Sequence, residues 1–445
     1  MIRLWQRMLI LFFLCFSTVT QAQPPQPLRL TLAEAIHRGL QSNLSVLLAQ
    51  SHTAQAEAAS VRRQSLLLPR VSVEAPVAVQ SRSLAAMGIS IPQMHLPDVV
   101  GPFSTYDVHA YASQPIIDLP SLHTLRSSRL ALTAARADDQ DARDLVIRNV
   151  AALYLNAQSA AALTVAAQAR VDTAQALEKL ATDQRAAGVA TGIDLLRAQV
   201  QTATERQSLV QSRNRAQSAL LQLARAIGLA PGTPIELAEA LTFCEAAPIR
   251  VDDVLPAALR ERPDYQSLLR QRESLREQQR ASQARYLPRM DASGNYGGIG
   301  RNPGSIRSTG AAQLSLSITV FDRDREGESA QLAAQLRALD SQLNDARLGV
   351  EQDLRQAVLD LDSAAEEVTV SQAALDLAQK ELELAQLRFS QGVTNNIEVT
   401  TAQDALARAQ QNSIVALTHH ADARIALARA MGNTEATYAQ VLGAR

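Results

Sequence analysis

The sequence predicts a mainly α-helical protein with a membrane β-barrel, built as a duplicated unit of a helix, a strand pair and a long helical hairpin. Three observations predict this fold class. Residues 188–199 (GVATGIDLLRAQ) recur as residues 392–403 (GVTNNIEVTTAQ), and LPR at 68–70 recurs at 287–289. Two long stretches contain no proline and have the composition of helices. Four segments alternate apolar and small polar residues with a period of two, which is typical of strands.

The repeat is a duplicated half-molecule, because its period is far above the ~20–50 residues of a solenoid unit. The two copies are offset by 219 residues at LPR and by 204 residues at the later blocks. One loop of the first copy is therefore longer by 15 residues. We place the extra residues within 88–103, where Pro92, Pro97, Gly101 and Pro102 are expected to prevent regular structure.

Residues 1–22 are predicted to be a signal peptide. Arg3 and Arg7 form its basic region, Met8–Phe16 its apolar core, and Thr20-Gln21-Ala22 its cleavage site. The remaining chain has 41 Lys and Arg against 44 Asp and Glu, a net charge of −3, which gives no indication of nucleic-acid binding. Cys244 is the one cysteine left, so no intramolecular disulfide can form. We find no apolar run of 18 residues after the signal peptide. The helices of the remaining chain are therefore not expected to span a membrane.

The first repeat is predicted to occupy residues 23–228. Thr31 and Glu34 form a capping box that begins a helix, which continues to about Leu68 and ends at Pro69. Strands follow at about 70–78 and 104–114, and a helical hairpin occupies 122–228 with its reversal at Gly188.

The second repeat is predicted at 251–432, after a connector at 229–250. Its first helix begins at Asp252 or Asp253, is split near Pro263 and ends at Pro288. Strands are predicted at about 289–300 and 311–320, a hairpin at 325–432, and a C-terminal tail at 433–445. Each long helical arm has about 65 residues, or ~100 Å at 1.5 Å per residue.

Four strands cannot close a barrel, and an open sheet edge is not tolerated in lipid. Two chains would supply eight strands, a barrel size that is filled by side chains. Three chains would supply twelve strands and leave room for water, which suits the small polar face of these strands. The sequence therefore predicts a homotrimer with a 12-stranded β-barrel, and its ~100 Å helices would extend the same tube away from the membrane.

This arrangement resembles the TolC-like outer membrane efflux protein family (the outer membrane factors). The resemblance covers about residues 28–435. It rests on LTLAEAI at 30–36 with Asn43, the two LPR tripeptides, QPIID at 114–118, TVFDRDREG at 319–327 and the two hairpin blocks. It implies a trimeric channel-tunnel in the outer membrane of a Gram-negative cell, in which the 12-stranded β-barrel is continued by a periplasmic α-barrel. The resemblance also implies an equatorial belt that includes the connector at 229–250.

The resemblance also implies the partners and the cargo. A periplasmic adaptor (membrane fusion) protein and an inner-membrane pump would deliver small molecules, drugs or metals, to the duct, which performs no chemistry and needs no cofactor or metal. A type I protein or peptide secretion duct is one alternative. A periplasmic coiled-coil scaffold without a barrel is an alternative from a different class.

The two helical turns are candidate adaptor-docking sites by this resemblance. They comprise Gly188, Val189 and Ala190 in the first hairpin and Gly392, Val393 and Thr394 in the second. The simpler interpretation is that each glycine only closes a helix in the left-handed conformation. Both interpretations are compatible with each other.

Asp194 and Glu398 follow the two turns at equivalent positions. In a trimer they could form rings of carboxylates that narrow the tunnel, as the resemblance implies, or they could serve only as helix N-terminal caps. Relatives also lock the closed end with a tyrosine and an arginine near the second turn. The matching positions here are Phe389 and Thr394, with Arg388 or Arg185 as possible substitutes.

No motif for catalysis or phosphate binding is present, so an enzyme is not predicted. The adjacent pair His419 and His420 is interpreted as part of a solvated helix face, because neighbouring helical residues point about 100° apart and do not readily share a metal ion.

Overall fold

The computed structural model describes residues 27–84, 86–88, 97–188, 191–243, 249–391, 393–394, 396–432 and 434–435. The predicted signal peptide, Cys244 and most of the predicted tail lie outside the described residues. The described chain is mostly helical and contains one antiparallel sheet and one short parallel strand pair.

Eight α-helices form in the described part of the chain, four from each repeat. The first four are α1 (Leu32–Ser42), α2 (Leu44–Ser65), α3 (Leu119–Ala186) and α4 (Gly192–Ala226). The second four are α5 (Val251–Glu261), α6 (Pro263–Ala284), α7 (Arg323–Ser390) and α8 (Asn396–Ala430). Their lengths are 11, 22, 68 and 35 residues in both sets.

The helix boundaries follow the duplication. An offset of 219 residues carries α1 onto α5 and α2 onto α6, and an offset of 204 carries α3 onto α7 and α4 onto α8. These are the two offsets that separate the repeated sequence blocks. Residues at these offsets can therefore be compared position by position.

The predicted unbroken helix from Thr31 to Leu68 is wrong in one respect, because it is interrupted at Asn43. Asn43 is extended, and its side-chain oxygen accepts a hydrogen bond from the Ser45 N–H at 2.9 Å, which caps α2. The break is equivalent to the one before Pro263, which is present as predicted. At the start of α1, the Thr31 hydroxyl accepts from the Glu34 N–H at 3.2 Å, as its capping role requires.

Five strands form the antiparallel sheet. They are β2 (Arg70–Glu74), β3 (Val77–Ser83), β4 (Val99–Ile117), β6 (Arg289–Gly300) and β7 (Arg307–Ser317). The neighbours in order are β2, β4, β6 and β7, and β3 also pairs with β4. Because β2 and β3 lie on β4 in one continuous register, they form a single edge strand that is interrupted at residues 75–76.

The hairpins of the two repeats have equivalent registers. Arg70 pairs with Ser113 in the first, and the equivalent residues Arg289 and Ser317 pair in the second. One sheet face is apolar, and among its exposed members are Val71, Val73, Val108, Leu314 and Leu316. Within the described residues, the sheet of one chain keeps two open edges and is not a closed barrel.

The polar face contains one hydrogen-bonded group that links several strands. His109 Nε2 lies 2.8 Å from Thr309 Oγ1, and His109 Nδ1 contacts the Asp107 carboxylate. Gly297 lies beneath the ring, and a Cβ there would come within 2.0 Å of the Val108 carbonyl oxygen. The close approach of β4 therefore requires a glycine at position 297.

The predicted strand boundaries differ from those of the structure at several places, and β4 continues to Ile117 while β7 already begins at Arg307. Residues 99–103 were expected to be irregular, but they belong to β4, since a β-bulge opposite Gln80 and Arg82 accommodates Gly101 and Pro102. The first strand, predicted at about 70–78, extends to Ser83. The last strand ends at Ser317 instead of about 320, because Ser317 pairs with Arg289, the first residue of β6.

The expectation that no helix is apolar enough to span a membrane also needs correction. An 18-residue window of α3 meets that criterion by length and composition alone. Of this window, 44% is buried within the structure.

Two compact units can be distinguished. The first comprises Met1–Leu47, Ala142–Ala258 and Glu351–Arg445, and the second comprises Leu48–Asp141 and Leu259–Val350. Each unit therefore takes segments from both repeats. The sheet belongs to the second unit, and the two helical turns belong to the first.

The first unit has its largest core around Tyr154 of α3. The Tyr154 hydroxyl donates to the Leu30 carbonyl at 3.0 Å, and Leu223 packs in the same apolar cluster. Burial and the negative charge of Glu239 raise the pKa of Tyr154 above its ordinary value. In the predicted connector, β5 (Ile235–Leu237) pairs in parallel with β1 (Leu28–Leu30), which fixes both segments beside this core.

Candidate functional site at the helical turns

The hairpin helices carry their buried residues at alternating spacings of three and four. On α7 the buried positions from Leu354 onward are Leu354, Ala357, Leu361, Ala364, Val368, Ser371, Ala378, Leu382, Ala385 and Phe389. On α8 they include Val399, Ala402, Ala409, Ser413, Ala416, His420, Ala423, Leu427 and Ala430. This 3.5-residue repeat is that of a left-handed coiled coil.

The first turn joins α3 to α4. Gly188 has a φ of +75°, and its N–H donates to the Arg185 carbonyl at 3.0 Å, which ends the helix in the left-handed conformation. No atom lies within 4 Å of the place where a Cβ would stand at Gly188. The turn is therefore open on that side, while Val189 and Ala190 lie outside the described residues.

Asp194 caps the helix that leaves the first turn. Its carboxylate accepts a hydrogen bond from the Thr191 N–H at 3.1 Å and another from the Thr191 hydroxyl. The guanidinium of Arg197 is 4.0 Å away at its nearest. The capping role considered from the sequence is thus present, and Arg197 is a distant cation at the outer limit of an ion pair.

The second turn joins α7 to α8 and has a different arrangement. Arg388 Nη1 lies 2.9 Å from Glu398 Oε1, so an ion pair connects the two arms of the hairpin. The Thr394 hydroxyl donates to the other oxygen of Glu398. The Val393 N–H donates to the Arg388 carbonyl at 2.9 Å, and the Val393 side chain is 65% exposed. Gly392 lies outside the described residues.

Phe389 stands where relatives are expected to have a locking tyrosine, and here it is a core residue. It is only 6% exposed and packs with Leu382, Ala385, Val399 and Ala402. Leu177 and Leu180 of the other hairpin pack against the same cluster. Phe389 therefore joins the two hairpins of one chain through apolar contact, without a polar group to donate.

An ion pair lies further along the hairpins. Arg170 Nε of α3 is 3.3 Å from Glu205 Oε2 of α4, and both side chains are largely buried. A small cavity of about 60 Å³ beside this pair is also lined by Leu382, Gln403 and Leu406. Polar as well as apolar groups therefore occupy the space between the two hairpins.

The interpretation of His419 and His420 as one solvated face is wrong for His420. His419 is exposed and lies 3.6 Å from Glu367, whereas His420 is 1% exposed and packs on the Phe243 ring with centroids 4.8 Å apart. Burial, together with the positive charge of Arg424, lowers the pKa of His420. The heptad spacing with Ser413, Ala416 and Ala423 was the signal that could have predicted its burial.

The part of the chain that the structure describes contains no cluster of three or more His, Cys, Asp or Glu side chains suited to a metal ion. The cavity beside His420 has a volume of about 390 Å³ and is lined mainly by apolar residues, with Asp362 and Glu366 at its polar side.

Comparison with known proteins agrees with this architecture. A family model described as "Outer membrane efflux protein" matches residues 35–229 and 254–433. Among curated protein sequences, none matches the chain. Solved structures with the same fold include the outer-membrane channel OprN, which is 20% identical with a TM-score of 0.77, covering 90% of this chain and 90% of OprN.

Two further structures have the same fold. The Campylobacter jejuni outer membrane channel CmeC is 16% identical with a TM-score of 0.78, covering 91% of this chain and 86% of CmeC. The outer membrane protein VceC of Vibrio cholerae is 16% identical with a TM-score of 0.76, covering 90% of this chain and 96% of VceC.

Proposed function

The chain belongs to the outer membrane efflux protein family, and from this premise we propose that it is the subunit of a homotrimeric exit duct for small molecules. The duct lies in the outer membrane of a Gram-negative cell. Three copies contribute twelve strands to one closed β-barrel and twelve helical segments to a periplasmic α-barrel. The duct itself is passive and performs no chemistry.

The open sheet is the observation that carries this proposal. Its apolar face exposes Val71, Val73, Leu314 and Leu316, while the opposite face carries Ser72, Ser293, Asn295, Gln313 and Ser315. An apolar outer face with a polar inner face is the pattern of a membrane barrel with a watery interior. Because neither edge strand can remain unpaired in lipid, closure requires further copies of the sheet.

The hairpins supply independent support for a trimer. On α4 the exposed large apolar residues are Ile193, Leu196, Val200, Val210 and Leu221, and on α7 they include Leu359, Val370, Leu377, Leu384 and Leu387. These positions follow a second heptad register, different from that of the buried seam. A helix with two apolar seams packs against one neighbouring helix on each side, which is the arrangement of helices in a closed ring. A coiled-coil scaffold without a barrel would explain these seams, but not the apolar face of the sheet.

The two turns dock a periplasmic adaptor protein, and an inner-membrane pump delivers the cargo. The exposed Val393 side chain and the open left-handed turn at Gly188 support this assignment, together with family membership. A photo-activated cross-linker at Val393 should capture an adaptor in cells, whereas one at the buried Val399 should not. Absence of a product from every turn position would contradict adaptor docking at the turns.

Asp194 and Glu398 form rings of three carboxylates at the narrow end of the tunnel. Their equivalent positions beside the two turns support this role, and capping by Asp194 is compatible with it. Such rings favour cations through their combined negative potential. The rings are the proposed gate and determine the ion selectivity of the duct.

Single-channel recording of purified protein in a planar bilayer tests the proposed duct. Leu314→Arg and Gln313→Arg form a matched pair on adjacent residues of β7 that point to opposite faces. A cation on the lipid face costs ~2–4 kcal/mol near the bilayer midplane, whereas one in the lumen alters selectivity instead. We expect Leu314→Arg to abolish insertion and Gln313→Arg to conduct with weaker cation preference. A protein that is soluble without detergent and forms no channels would contradict the proposal.

A further inference from the structure

Three arginine side chains lie at one end of the sheet. The helices join the strands at one end, and the loops that follow β3 and β6 lie at the other, the loop end. Arg82, Arg301 and Arg307 are at the loop end, and all three are exposed. Acidic residues are scarce there, because residues 75–106 contain only Asp98 and residues 294–313 contain none. The loop end therefore carries a net positive charge.

Arg307 projects from the polar face of the sheet. It pairs with Ile299, which pairs in turn with Asp107, and residues paired across neighbouring strands share a face. Asp107 belongs to the hydrogen-bonded group of His109, which lies on the polar face. In the proposed barrel, Arg307 therefore faces the water-filled interior.

Arg301 reaches the same face. Its guanidinium lies over the Phe103 ring, 5.6 Å from the ring centroid. Residues 103, 105 and 107 alternate onto the polar face of β4, so Phe103 is on that face. A cation–π contact uses the flat side of a guanidinium and leaves the N–H groups at its edge able to donate to a ligand. The side chain of Arg301 donates to no acceptor among the described residues.

Arg82 approaches this group from β3. Its Nε and Nη2 donate to Gln80 Oε1 at 3.3 and 3.2 Å, and Gln80 donates in turn to the Thr105 hydroxyl at 3.2 Å. Gln80 pairs with Phe103, so it holds the Arg82 guanidinium toward the polar face. The partner of Arg82 is neutral, and no carboxylate in the described part of the chain forms an ion pair with any of the three arginines. Their positive charges are therefore available to a ligand.

The arginines are close enough to hold one ligand together. Arg301 lies two positions beyond Ile299, the residue opposite Arg307, so the two arginines are diagonal neighbours on one face. Diagonal neighbours are about 7–8 Å apart, a distance that long side chains can span. Arg82 comes from the other side of Phe103, over which the Arg301 guanidinium lies. The arginine cluster is thus formed within a single chain.

We propose that this arginine cluster binds a soluble anion that carries several phosphate groups, at the outer mouth of the duct. The inference rests on the proposed duct, in which the polar face of the sheet lines the lumen, and it adds a binding site at the exit. The planar guanidinium fork matches the oxygens of a phosphate group and binds them through two parallel hydrogen bonds. Rings of arginine attract anions and phosphates in pores, and three copies bring three such clusters to one mouth.

The position of the cluster decides between possible sources of phosphate. Lipid contacts the apolar face of a membrane sheet, whereas these guanidinium groups are held on the polar face. A soluble anion in the lumen is therefore favoured over the headgroup of a lipid. An anion with several charges is favoured over chloride, because each further charge adds to its attraction by the same fixed arginines. A bound polyanion would also hinder the passage of small ions, which makes binding measurable as channel block.

Block of single channels by tripolyphosphate tests the site. The purified protein is recorded in a planar bilayer of uncharged lipid at low salt, and tripolyphosphate is added to each side in turn. We expect it to lower the conductance from one side only. The double variant Arg301→Gln/Arg307→Gln should raise the half-blocking concentration at least about tenfold. Salt at about 1 M, where the Debye length falls to ~3 Å, should relieve the block of the original protein.

Arg289→Gln is the matched control. Arg289 lies on the same strand and the same face as Arg301, but at the end that joins the helices, and its guanidinium is 3.0 Å from Asp291 and 3.5 Å from Asp118. Its charge is therefore compensated within the chain. This substitution should change the half-blocking concentration less than about twofold. A change as large as that of the double variant would show that any loss of positive charge weakens the block, and would overturn the site.

The remaining outcomes separate the site from the duct. If channels form and tripolyphosphate blocks the double variant as well as the original protein, the duct stands and the site is wrong. Block that requires lipopolysaccharide in the bilayer would assign the arginines to lipid phosphates and overturn the site in the lumen. If no channels form, the proposed duct fails, and equilibrium dialysis of radiolabelled tripolyphosphate against the protein in detergent tests the cluster alone. Equal binding by the original protein and the double variant would then overturn it.

Discussion

Arg388 and Glu398 form a 2.9 Å ion pair across the second helical turn, and the described residues of the first turn form no equivalent pair between the two arms. The residues equivalent to this pair are Gln184 and Asp194. Asp194 instead accepts hydrogen bonds from Thr191, and its nearest guanidinium, that of Arg197, is 4.0 Å away. Two acids at equivalent positions therefore have different electrostatic surroundings, because one repeat has an arginine where the other has a glutamine.

This difference predicts unequal roles for the two acids in ion selectivity. Asp194→Asn should reduce the preference for cations more than Glu398→Gln does, because Arg388 already compensates the charge of Glu398. Arg388→Gln should strengthen the preference, since it leaves Glu398 uncompensated. The reversal potential of single channels under a salt gradient measures all three effects. Equal losses from Asp194→Asn and Glu398→Gln would contradict the unequal roles.

A second prediction concerns the packing between the two hairpins. Phe389→Ala should loosen the end of the hairpins, since removal of a buried phenylalanine typically costs ~3–5 kcal/mol. Phe389→Leu, which keeps most of the apolar volume, should have a much smaller effect. Limited trypsin digestion of the detergent-solubilised protein measures local opening at the arginines near the turns. If the two variants are cleaved at the same rate as the original protein, Phe389 does not hold the hairpins together.

Much of the fold could be predicted from the sequence because a pattern in one repeat could be checked against the equivalent residues of the other. The long hairpins follow from the absence of proline, and their ends follow from Gly188 and its counterpart in the second repeat. The break at Asn43 was missed because asparagine is tolerated inside a helix, and only its bond to the Ser45 N–H shows that it acts as a cap. The strand through Pro102 was missed because the β-bulge that accommodates this proline depends on the pairing register with the neighbouring strand.

The candidate site was predictable in position but not in contacts. Spacing from the turns identified Asp194 and Glu398, yet the pairing of Glu398 with Arg388 depends on how the arms of the hairpin face each other. Likewise, heptad spacing could have indicated that His420 is buried, but its contact with Phe243, which is distant in sequence, could not be predicted. Contacts between helices are set by tertiary packing, which one sequence does not encode locally.

A third prediction follows from the burial of His420. Burial first, and then the positive charge of Arg424, lowers the pKa of His420, while Asp362 and Glu366 line the same cavity. The unfolded chain binds a proton below about pH 6.5, whereas the folded chain does not until the pH is lower. Stability should therefore fall as the pH drops below about 6.5.

His420→Gln should remove this component of the pH dependence, and His419→Gln, at an exposed position, should preserve it. The melting temperature of the detergent-solubilised protein, followed by circular dichroism from pH 8 to pH 5, measures the difference. A melting curve of His420→Gln with the same pH dependence as the original protein would show that another group is responsible.

A fourth prediction concerns Glu277, which lies between α6 and α3. Burial alone would raise the pKa of Glu277, but hydrogen bonds from His123 and Arg280 and their positive charges outweigh it, so the pKa lies below its ordinary value of 4.5. A lowered carboxyl pKa stabilises the fold above the ordinary value, and the stabilisation is lost as the pH falls through the folded value. Glu277→Gln should therefore destabilise the protein at pH 7, and its deficit should shrink below about pH 4.5.

The matched control is Glu273→Gln, one turn earlier on α6, where Glu273 pairs with Arg270 at 2.8 Å but is far more exposed. Exposed pairs contribute ~0–1 kcal/mol, so this variant should melt close to the original protein at every pH. The pH range in which Glu277 changes the stability lies below the range in which His420 does. The two effects can therefore be separated by measuring the melting temperature over one pH series. If Glu277→Gln and Glu273→Gln give the same curve, the contact of His123 with Glu277 does not stabilise the packing of α6 on α3, where the buried Ser127 and Ser274 hydroxyls also lie 3.0 Å apart.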